Sequence, residues 1–267
     1  MSKILILGHK GKIGKSLVKA LSNENFTEVI TYEGYLDGNS FKEFLVVNSD
    51  ITCIVNTISK FRGTNTEIFK SNTQSVDILM QSLVEIDISP KIIHFSSAGV
   101  YSSTREPKDE NSEISPATYY LLCKSIADRM LEYYRSEFDI TIVRPGSVFG
   151  EEINDGFIYN MEKSVIETGT LTLVGSADKT RSILHVEYLL SFIVKIIKEN
   201  LHLDVINLST QTITLQEFIE FLQTRYPNSE VLKKEDLADN DKLSHMSINN
   251  TLARSILEIK DSFMLKI

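Results

Sequence analysis

The chain begins with an apolar run that leads directly into a glycine-rich turn and an amphipathic helix. Lys3-Ile-Leu-Ile-Leu7 is continuously apolar in its last four residues, which is typical of a strand covered on both faces of a parallel sheet. The turn Gly8-His-Lys-Gly11-Lys-Ile-Gly14 follows it, and residues 12–21 then carry apolar side chains at helical spacing. This order predicts a βαβ unit at the start of the chain.

Predicted strands and helices then alternate as far as residue 144. The predicted strands are Glu28–Tyr32, Ile51–Ile58, Lys91–Ser96 and Ile140–Arg144. The predicted helices are Lys12–Leu21, Phe41–Val47, Ile68–Ile86 and Tyr119–Phe138. Such alternation predicts right-handed crossovers and an α/β fold with a doubly wound parallel sheet of the Rossmann type.

The alternation is less regular after Gly150. Helices are predicted at Phe157–Thr168, Val186–Leu201 and Gln216–Tyr226, short strands at Leu171–Val174 and Val205–Leu208, and a surface loop at Lys233–Asp241. We expect residues 1–150 to form a dinucleotide-binding domain that carries the reactive side chains. We expect residues 151–267 to form a small α/β substrate-binding cap, with some segments returning to the main sheet.

Composition excludes several classes of partner. The chain has 28 Lys and Arg against 36 Asp and Glu, a net charge of −8, so electrostatic binding to nucleic acid is not expected. Its best apolar stretch, Tyr188–Ile197, is about ten residues long and contains Ser191 and Lys195, too short for a membrane span. The N-terminal residues lack the long apolar region of a signal peptide, so a cytoplasmic location is expected.

A metal site and a disulfide framework are not expected either. The two cysteines, Cys53 and Cys123, are too few for a disulfide framework or a thiolate cluster. The five histidines show no shared metal-ligand spacing: His9, His94, His185, His202 and His245.

The glycine-rich turn predicts a dinucleotide site. Glycines let the backbone turn sharply and approach a pyrophosphate, while the N–H groups at the start of the following helix bind the anion. The residues assigned to the cofactor here are Gly8, Lys10, Gly11, Lys12, Ile13 and Gly14. An empty structural turn is the alternative interpretation.

Glu33 bears on which dinucleotide is bound. It lies at the end of the second predicted strand, where a carboxylate accepts hydrogen bonds from the ribose hydroxyls of NAD(H) and repels a 2′-phosphate. Lys10 and Lys12 could instead meet such a phosphate, or be ordinary solvated charges. The sequence therefore favours NAD(H), with NADP(H) as the alternative.

Tyr120 and Lys124 are the candidate catalytic pair. They stand four residues apart and therefore on one helix face. A phenol is a weak base at neutral pH unless a nearby cation favours the phenolate, and Lys124 would supply that cation and hold the nicotinamide ribose. Tyr119 lacks such a partner, because Cys123 stands four residues after it.

A serine after the fourth predicted strand would complete the site. Ser97, or as second choice Ser96, lies at the carboxyl end of that strand, where a hydroxyl can hydrogen-bond a reacting oxygen. Ordinary turn serines are the alternative. The ordered combination of glycine turn, serine and Tyr/Lys pair points to hydride transfer at a carbinol or ketone.

These segments resemble the NAD-dependent epimerase/dehydratase branch of the extended short-chain dehydrogenases/reductases, which acts on nucleotide sugars. The G-x-x-G-x-x-G turn is typical of that branch, and Gly8-His-Lys-Gly11 is similar to the turn of GDP-fucose synthases, which use NADP. The other matching segments are Ser96–Tyr101 (S-S-x-x-V-Y-G), Pro116–Asp128 (P-x-x-x-Y-x-x-x-K-x-x-x-E), Val143–Gly150 (R-P-x-x-V-Y-G) and Thr180–Val186 (R-D-x-x-H-V).

The resemblance implies further roles. Asn72 matches an asparagine that recurs in the long helix before the serine motif, and it would belong to the cofactor site. Arg181 would contact the diphosphate of the sugar nucleotide, whereas His185 is interpreted as structural. The helices that start at Ile68 and Tyr119 would pair with their copies in a homodimer.

Four departures from the family pattern stand out. Asn56-Thr-Ile-Ser59 replaces H-x-A-A, Ser102 replaces a glycine, and Ser182 replaces an aspartate. Ala98-Gly99 replaces the Asp-Glu pair with which 4,6-dehydratases eliminate water, so that elimination is not expected.

The sequence as a whole predicts an oxidoreductase acting at a ring carbon, most simply C4, of a nucleotide sugar, in polysaccharide biosynthesis. The small C-terminal part favours a nucleotide-4-keto-sugar reductase. A nucleotide-sugar 4-epimerase is the first alternative, and a dinucleotide-binding sensor without turnover is the second.

Overall fold

The computed structural model describes residues 2–174, 176–234 and 244–265. Its strands are β1 (Ser2–Leu7), β2 (Thr27–Tyr32), β3 (Ile51–Asn56), β4 (Lys91–Phe95), β5 (Ile140–Pro145), β6 (Ser147–Phe149), β7 (Thr170–Val174), β8 (Thr180–His185), β9 (Val205–Leu208), β10 (Gln211–Thr214), β11 (Glu230–Lys234) and β12 (His245–Met246). Its α-helices are α1 (Lys12–Ser22), α2 (Gly38–Val47), α3 (Asn65–Phe69), α4 (Ser75–Glu85), α5 (Tyr119–Tyr133), α6 (Phe157–Thr168), α7 (Val186–Lys198), α8 (Leu215–Arg225) and α9 (Thr251–Ile256).

A six-stranded sheet forms the main core, and it confirms the predicted doubly wound fold. Its strand order is β2-β1-β3-β4-β5-β9, with parallel pairing from β2 through β5. The chain passes from β1 to β2 on one side and to β3 on the other. This reversal opens a crevice beyond the carboxyl ends of β1 and β3, where doubly wound folds bind ligands.

Both faces of the sheet are covered. Leu5 and Leu7 of β1 pack in a cluster with side chains of α2, α4 and α5. Ile4 and Ile6 alternate with them and are also fully buried. Helix α1 runs along β1 and β2. An apolar run covered on both sides, as inferred for residues 3–7, is what a central parallel strand requires.

Two predicted helices differ from the structure. The prediction of one helix over Ile68–Ile86 is wrong, because a π-helical turn, Lys70–Gln74, separates α3 from α4. The side chain of Asn72, inside that turn, donates to the carbonyl oxygen of Ile68. The helix predicted to reach Phe138 ends at Tyr133, and Phe138 instead packs into the main core.

The later part of the chain contains the predicted strand β7 and also strands that the sequence did not predict: β6, β8, β10, β11 and β12. Strand β8 pairs with β6 and β12 in parallel and with β10 antiparallel, and β7 pairs with β11 in parallel. The surface loop predicted at Lys233–Asp241 is wrong for its first two residues, which end β11, and the rest of it lies outside the described residues. These strands are two to six residues long, too short for a clear apolar period.

The chain divides into two compact units that interleave along the sequence. The first comprises residues 1–100, 116–144 and 190–206, and the second comprises residues 101–115, 145–189 and 207–267. The boundary predicted at residue 150, with some later segments returning to the main sheet, stays a prediction; in this division residues 190–206 belong to the first unit and residues 101–115 to the second. The assignment of cofactor and substrate to separate parts stays a prediction. No helix among the described residues is long and apolar enough to cross a membrane.

The close approach of α1 to the end of β1 depends on Gly14. A Cβ atom at Gly14 would lie 2.3 Å from the carbonyl oxygen of Gly8, well inside van der Waals contact. We predict that Gly14→Ala destabilises the protein by about 1–3 kcal/mol, the cost of overpacking, although alanine favours helix by about 1 kcal/mol. The free energies of unfolding of the wild-type protein and of Gly14→Ala, measured in urea, give this difference.

Gly38→Ala is the matched control. Gly38 is also in the first turn of a helix, and a Cβ there would meet Ile78 at an ordinary 3.7 Å. It should leave stability unchanged or raise it by up to about 1 kcal/mol. Equal decreases in the free energy of unfolding of the two variants would show that the approach of Gly14 to Gly8 is not tight.

Candidate active site

The turn after β1 is built for close backbone approach. Gly8 has a φ of +82°, and a Cβ atom there would lie 2.7 Å from Thr57 Oγ1 and 2.8 Å from the backbone nitrogen of Ile58. Gly11, the N-cap of α1, offers no side chain to the first-turn N–H groups. The first-turn N–H groups of α1 therefore receive no hydrogen bond from the N-cap side chain, and the turn leaves space for an anion such as a pyrophosphate to bind them.

A cavity of about 290 Å³ opens at this turn. It lies at the carboxyl ends of β1 and β3, the position expected for a dinucleotide in this fold. Its lining residues are Gly8, His9, Lys10, Gly11, Tyr32, Glu33, Tyr35, Thr57, Ile58, Ser59 and Ser71. The cavity thus brings together four residues assigned to the cofactor from sequence: Gly8, Lys10, Gly11 and Glu33. Lys12, Ile13 and Gly14 lie in the first turn of α1 and Asn72 in the π-helical turn, outside this lining.

Glu33 is held by two basic groups of the glycine-rich turn. Lys10 Nζ donates to Glu33 Oε2 at 2.7 Å, and His9 Nε2 lies 3.5 Å from Glu33 Oε1. The hydrogen bond from Lys10 lowers the pKa of Glu33 below its usual value. The carboxylate is therefore ionised at neutral pH, and the positive charge of Lys10 is matched by it.

The segment after β3, Thr57–Lys60, lines one side of the cavity with its first three residues and is fixed by hydrogen bonds. Thr57 Oγ1 donates to the carbonyl oxygen of Leu7 at 2.8 Å, and the N–H of Ile58 donates to Asn56 Oδ1 at 3.1 Å. Asn72 Nδ2 donates to the carbonyl oxygen of Lys60 at 2.7 Å. We call Thr57–Lys60 the wall segment. Asn72, buried and occupied by these contacts, supports the wall; its own contact with a cofactor stays a prediction.

Tyr120 lies in the first turn of α5 beside the wall segment. Ser59 Oγ lies 3.4 Å from Tyr120 Oη, and the ring of Phe61 meets the Tyr120 ring edge-on with 6.4 Å between centroids. Burial raises the pKa of Tyr120 above its usual value, whereas the hydrogen bond with Ser59 lowers it. Sequence reasoning missed Ser59 as a site residue, although its departure from the family pattern was a signal.

Lys124 lies one turn further along α5 and is almost fully buried, with 1% of its surface exposed. Its ammonium donates to the carbonyl oxygens of Phe95, at 2.8 Å, and Ile58, at 3.2 Å. Burial lowers the pKa of Lys124 to about 8. Lys124 is not among the groups that shift the pKa of Tyr120 in this structure, so the predicted effect of its charge on the phenol stays a prediction.

The two serines after β4 have different surroundings. Ser96 is buried, and its Oγ donates to Asp128 Oδ2 at 2.9 Å. The same carboxylate oxygen lies 3.1 Å from Arg144 Nε in a buried ion pair. Ser97 is half-buried and its Oγ accepts from the N–H of Gly99, while its own O–H has no protein acceptor within the described residues. The Ser96 hydroxyl is thus occupied by Asp128, whereas the Ser97 O–H can still donate a hydrogen bond to a ligand.

His94 on β4 is a buried histidine of a different kind. Asn56 Nδ2, which can only donate, lies 3.2 Å from His94 Nδ1, so that nitrogen accepts and the proton resides on Nε2. Burial lowers the pKa of His94 well below its usual value. The ring is therefore neutral, and it does not act as a charge in the site.

Arg181 and His185 lie on β8, in the second compact unit. Arg181 Nη1 donates to the carbonyl oxygens of Thr180 and Ser244, and no carboxylate within the described ranges pairs with it. His185 Nδ1 accepts from the N–H of Glu187 at 3.3 Å, which caps the start of α7. The His185 contact is thus structural. The positive charge of Arg181 is not balanced by a carboxylate of the described ranges, so its guanidinium can pair with an anion.

The sequence matches known proteins over nearly its whole length. A family model described as the NAD dependent epimerase/dehydratase family matches residues 4–209. A curated relative, the GDP-6-deoxy-D-talose 4-dehydrogenase of Aggregatibacter actinomycetemcomitans, is 25% identical over 288 residues, covering 96% of this chain and 96% of the relative.

Solved structures share the fold. DesIV, a dTDP-glucose 4,6-dehydratase from Streptomyces venezuelae with NAD and TYD bound, gives a TM-score of 0.82 at 16% identity, covering 99% of this chain and 93% of that one. The UDP-glucuronic acid 4-epimerase from Bacillus cereus, in complex with UDP-glucuronic acid and NAD, gives a TM-score of 0.80 at 18% identity. The match covers 97% of this chain and 93% of that one. Because the family model spans most of its length, the chain belongs to the NAD dependent epimerase/dehydratase family.

Proposed function

We propose that the protein is an NAD(H)-dependent oxidoreductase that reduces the C4 ketone of a nucleotide 4-keto-sugar. The observation that carries the proposal is the position of Tyr120. Its phenol lies 3.4 Å from Ser59, a residue that also lines the cavity at the glycine-rich turn. A proton donor at the edge of a dinucleotide cavity is the arrangement that hydride chemistry at a carbonyl requires.

The residues of the chain divide the chemistry between them. NAD(H), when bound, supplies the hydride that reaches the carbonyl carbon. Tyr120 gives its phenolic proton to the carbonyl oxygen and is left as a phenolate, which regains a proton from solvent. The O–H of Ser97 donates to the same oxygen and stabilises the charge that develops on it. Lys124 holds the ribose hydroxyls beside the nicotinamide, and with a pKa of about 8 it is mainly charged at pH 7.

Two features distinguish reduction from related reactions. Ala98 and Gly99 are buried in a 3₁₀ turn after Ser97 and offer no carboxylate for the elimination of water. The curated relative is named as a 4-dehydrogenase, an enzyme that interconverts an alcohol and a ketone at C4. A 4-epimerase would use the same Tyr120, Lys124 and Ser97 twice in one turnover, and it is the second candidate. A sensor without turnover would need none of the three.

Arg181 is the proposed contact for the diphosphate of the substrate. Burial lowers the pKa of its guanidinium, but an arginine remains charged at every physiological pH. Its two carbonyl contacts do not neutralise that charge. A diphosphate would, and it matches the fork geometry of a guanidinium.

A homodimer through α5 is proposed from its exposed apolar side chains. Tyr119, Leu122, Ile126 and Tyr133 recur at helical spacing, and each is between 38% and 78% exposed. Phe69 on α3, which packs against α5, is 40% exposed. A stripe of large apolar side chains on one helix side is typical of a helix–helix interface.

Sedimentation velocity tests the homodimer. Ile126→Arg should place an unpaired charge in the interface and convert the dimer into monomers at micromolar concentration. Ile166→Arg on α6, where the isoleucine is 64% exposed outside this stripe, is the control and should leave the mass unchanged. A monomeric wild-type protein would contradict the proposal.

Tyr120→Phe tests the assignment of the proton donor. It removes the phenolic O–H and should lower turnover of a nucleotide 4-keto-sugar by at least about 100-fold, the scale of general acid catalysis. The dinucleotide should still bind. Tyr119→Phe is the neighbouring control and should retain turnover, because Tyr119 has no lysine one turn further on. Near-full turnover by Tyr120→Phe would exclude Tyr120 as the donor.

Glu33→Gln tests the choice of dinucleotide. The change removes a negative charge that would face a 2′-phosphate and releases Lys10 and His9 to meet it. We expect the ratio of NADPH to NADH affinity, measured by calorimetry, to rise by about tenfold or more, because a charged hydrogen bond is gained. Glu28→Gln, on the exposed side of β2, makes the same charge change outside the cavity and should leave the ratio unchanged.

A further inference from the structure

The wall segment contains a hydroxyl that the proposed mechanism does not use. Ser59 is exposed toward the cavity, and its Oγ lies 3.4 Å from Tyr120 Oη and 3.2 Å from Asn72 Oδ1. The family pattern has alanine at this position, so the hydroxyl distinguishes this chain. No other side chain within the described ranges hydrogen-bonds to the Tyr120 phenol.

The proton of the Ser59 hydroxyl has two acceptors and can serve one at a time. Asn72 Nδ2 donates to the carbonyl oxygens of Lys60 and Ile68, which fixes the orientation of the amide and leaves Oδ1 as an acceptor facing Ser59. When Tyr120 is a phenol, the geometry lets the single Ser59 proton be donated either to Asn72 Oδ1, at 3.2 Å, or to the Tyr120 oxygen, at 3.4 Å. When Tyr120 is a phenolate, the Ser59 O–H can rotate and donate to it instead.

We propose that Ser59 is a hydrogen-bonding residue of the catalytic phenol, whose hydroxyl turns fully from Asn72 to Tyr120 when Tyr120 has given up its proton. Ser59 itself neither gains nor loses a proton. The purpose of this contact rests on the proposed function, in which Tyr120 donates a proton to the substrate. The 3.4 Å separation is long for a hydroxyl pair, and such contacts shorten when ligands fill an active site.

The charged surroundings of Tyr120 do not provide the same stabilisation. The charged side chains on α5 are Lys124, Asp128, Arg129 and Glu132, and Arg129 pairs with Glu132 at 2.5 Å. Those on the segments near it are Lys60, Arg62, Glu67, Lys70, Asp77 and Glu85. Asp128 raises the pKa of Tyr120. Lys60 pairs with Glu67 at 2.6 Å, and Arg62 lies over the ring of Phe61. Among the groups that shift the pKa of Tyr120, Ser59 is the one that lowers it, through its hydrogen bond.

A titration of Tyr120 measures the contact without cofactor or sugar. We would incorporate 3,5-difluorotyrosine at position 120, because its phenol is more acidic and ionises where the protein is folded, and follow its ¹⁹F resonance against pH. A hydrogen bond to a charged oxygen contributes enough that Ser59→Ala should make ionisation about tenfold less favourable, moving the midpoint up by about one pH unit. Ser59→Thr, which keeps a hydroxyl, should restore the wild-type midpoint.

Two further variants keep the test decisive. Ser71→Ala removes a hydroxyl that lines the same cavity without contacting Tyr120, and it should not move the midpoint. Ser59→Cys keeps the side-chain volume with a weaker donor, so it should shift the midpoint upward even if Ser59→Ala does not fold. A midpoint that stays the same in Ser59→Ala or Ser59→Cys would overturn the proposal.

The outcome is separable from that of the proposed function. If wild-type protein oxidises a nucleotide sugar with NAD, the rising limb of its pH profile should move to higher pH in Ser59→Ala, since the phenolate is the base in that direction. If it turns over no nucleotide sugar but the ¹⁹F midpoint still shifts, the contact stands and the proposed function fails. If the protein turns over a nucleotide sugar but the ¹⁹F midpoint does not shift, the proposed function stands and the proposal for Ser59 fails.

Discussion

The hydrogen bonds that join the ends of β1 and β3 set the geometry on which the candidate site depends. Thr57 donates to the carbonyl oxygen of Leu7 through both its backbone N–H, at 3.0 Å, and its Oγ1, at 2.8 Å. These bonds hold the wall segment against Gly8 so closely that a Cβ atom would not fit between them. The glycine at position 8 is thus required by one close backbone contact, at the point where the strand order reverses and the cavity opens.

In place of the family's H-x-A-A, this chain has Asn56-Thr-Ile-Ser59, and three of these four residues make side-chain hydrogen bonds at the cavity. Asn56 fixes the N–H of Ile58 and the tautomer of His94, Thr57 joins the wall to β1, and Ser59 reaches Tyr120. A wall of small apolar residues would instead depend on packing alone. Hydrogen bonds specify direction as well as distance, so this wall positions groups at the edge of the cavity.

The sequence predicted the main sheet because its strands are apolar on both faces and its glycine turn has a characteristic spacing. It also predicted that Tyr120 and Lys124 lie on one helix, α5, one turn apart, since residues four apart share a helix face. Contacts between distant segments could not be predicted. The hydrogen bond between Ser59 and Tyr120 joins residues 61 positions apart, and the carbonyl contacts of Lys124 depend on how α5 packs. The short strands β6, β8, β10 and β12 were missed because they carry little periodicity.

The most direct test of the central claim is to identify any nicotinamide dinucleotide released when freshly purified protein is denatured, and then to measure how NADH and NADPH change its melting temperature. A reductase exchanges its cofactor at every turnover, so we expect little dinucleotide to be released. NADH at about 100 times its Kd should then raise the melting temperature by roughly 5–10 °C, and NADPH by less. Near-stoichiometric release of NAD would contradict the reductase and favour the epimerase. No release and no stabilisation by either dinucleotide would contradict the whole account.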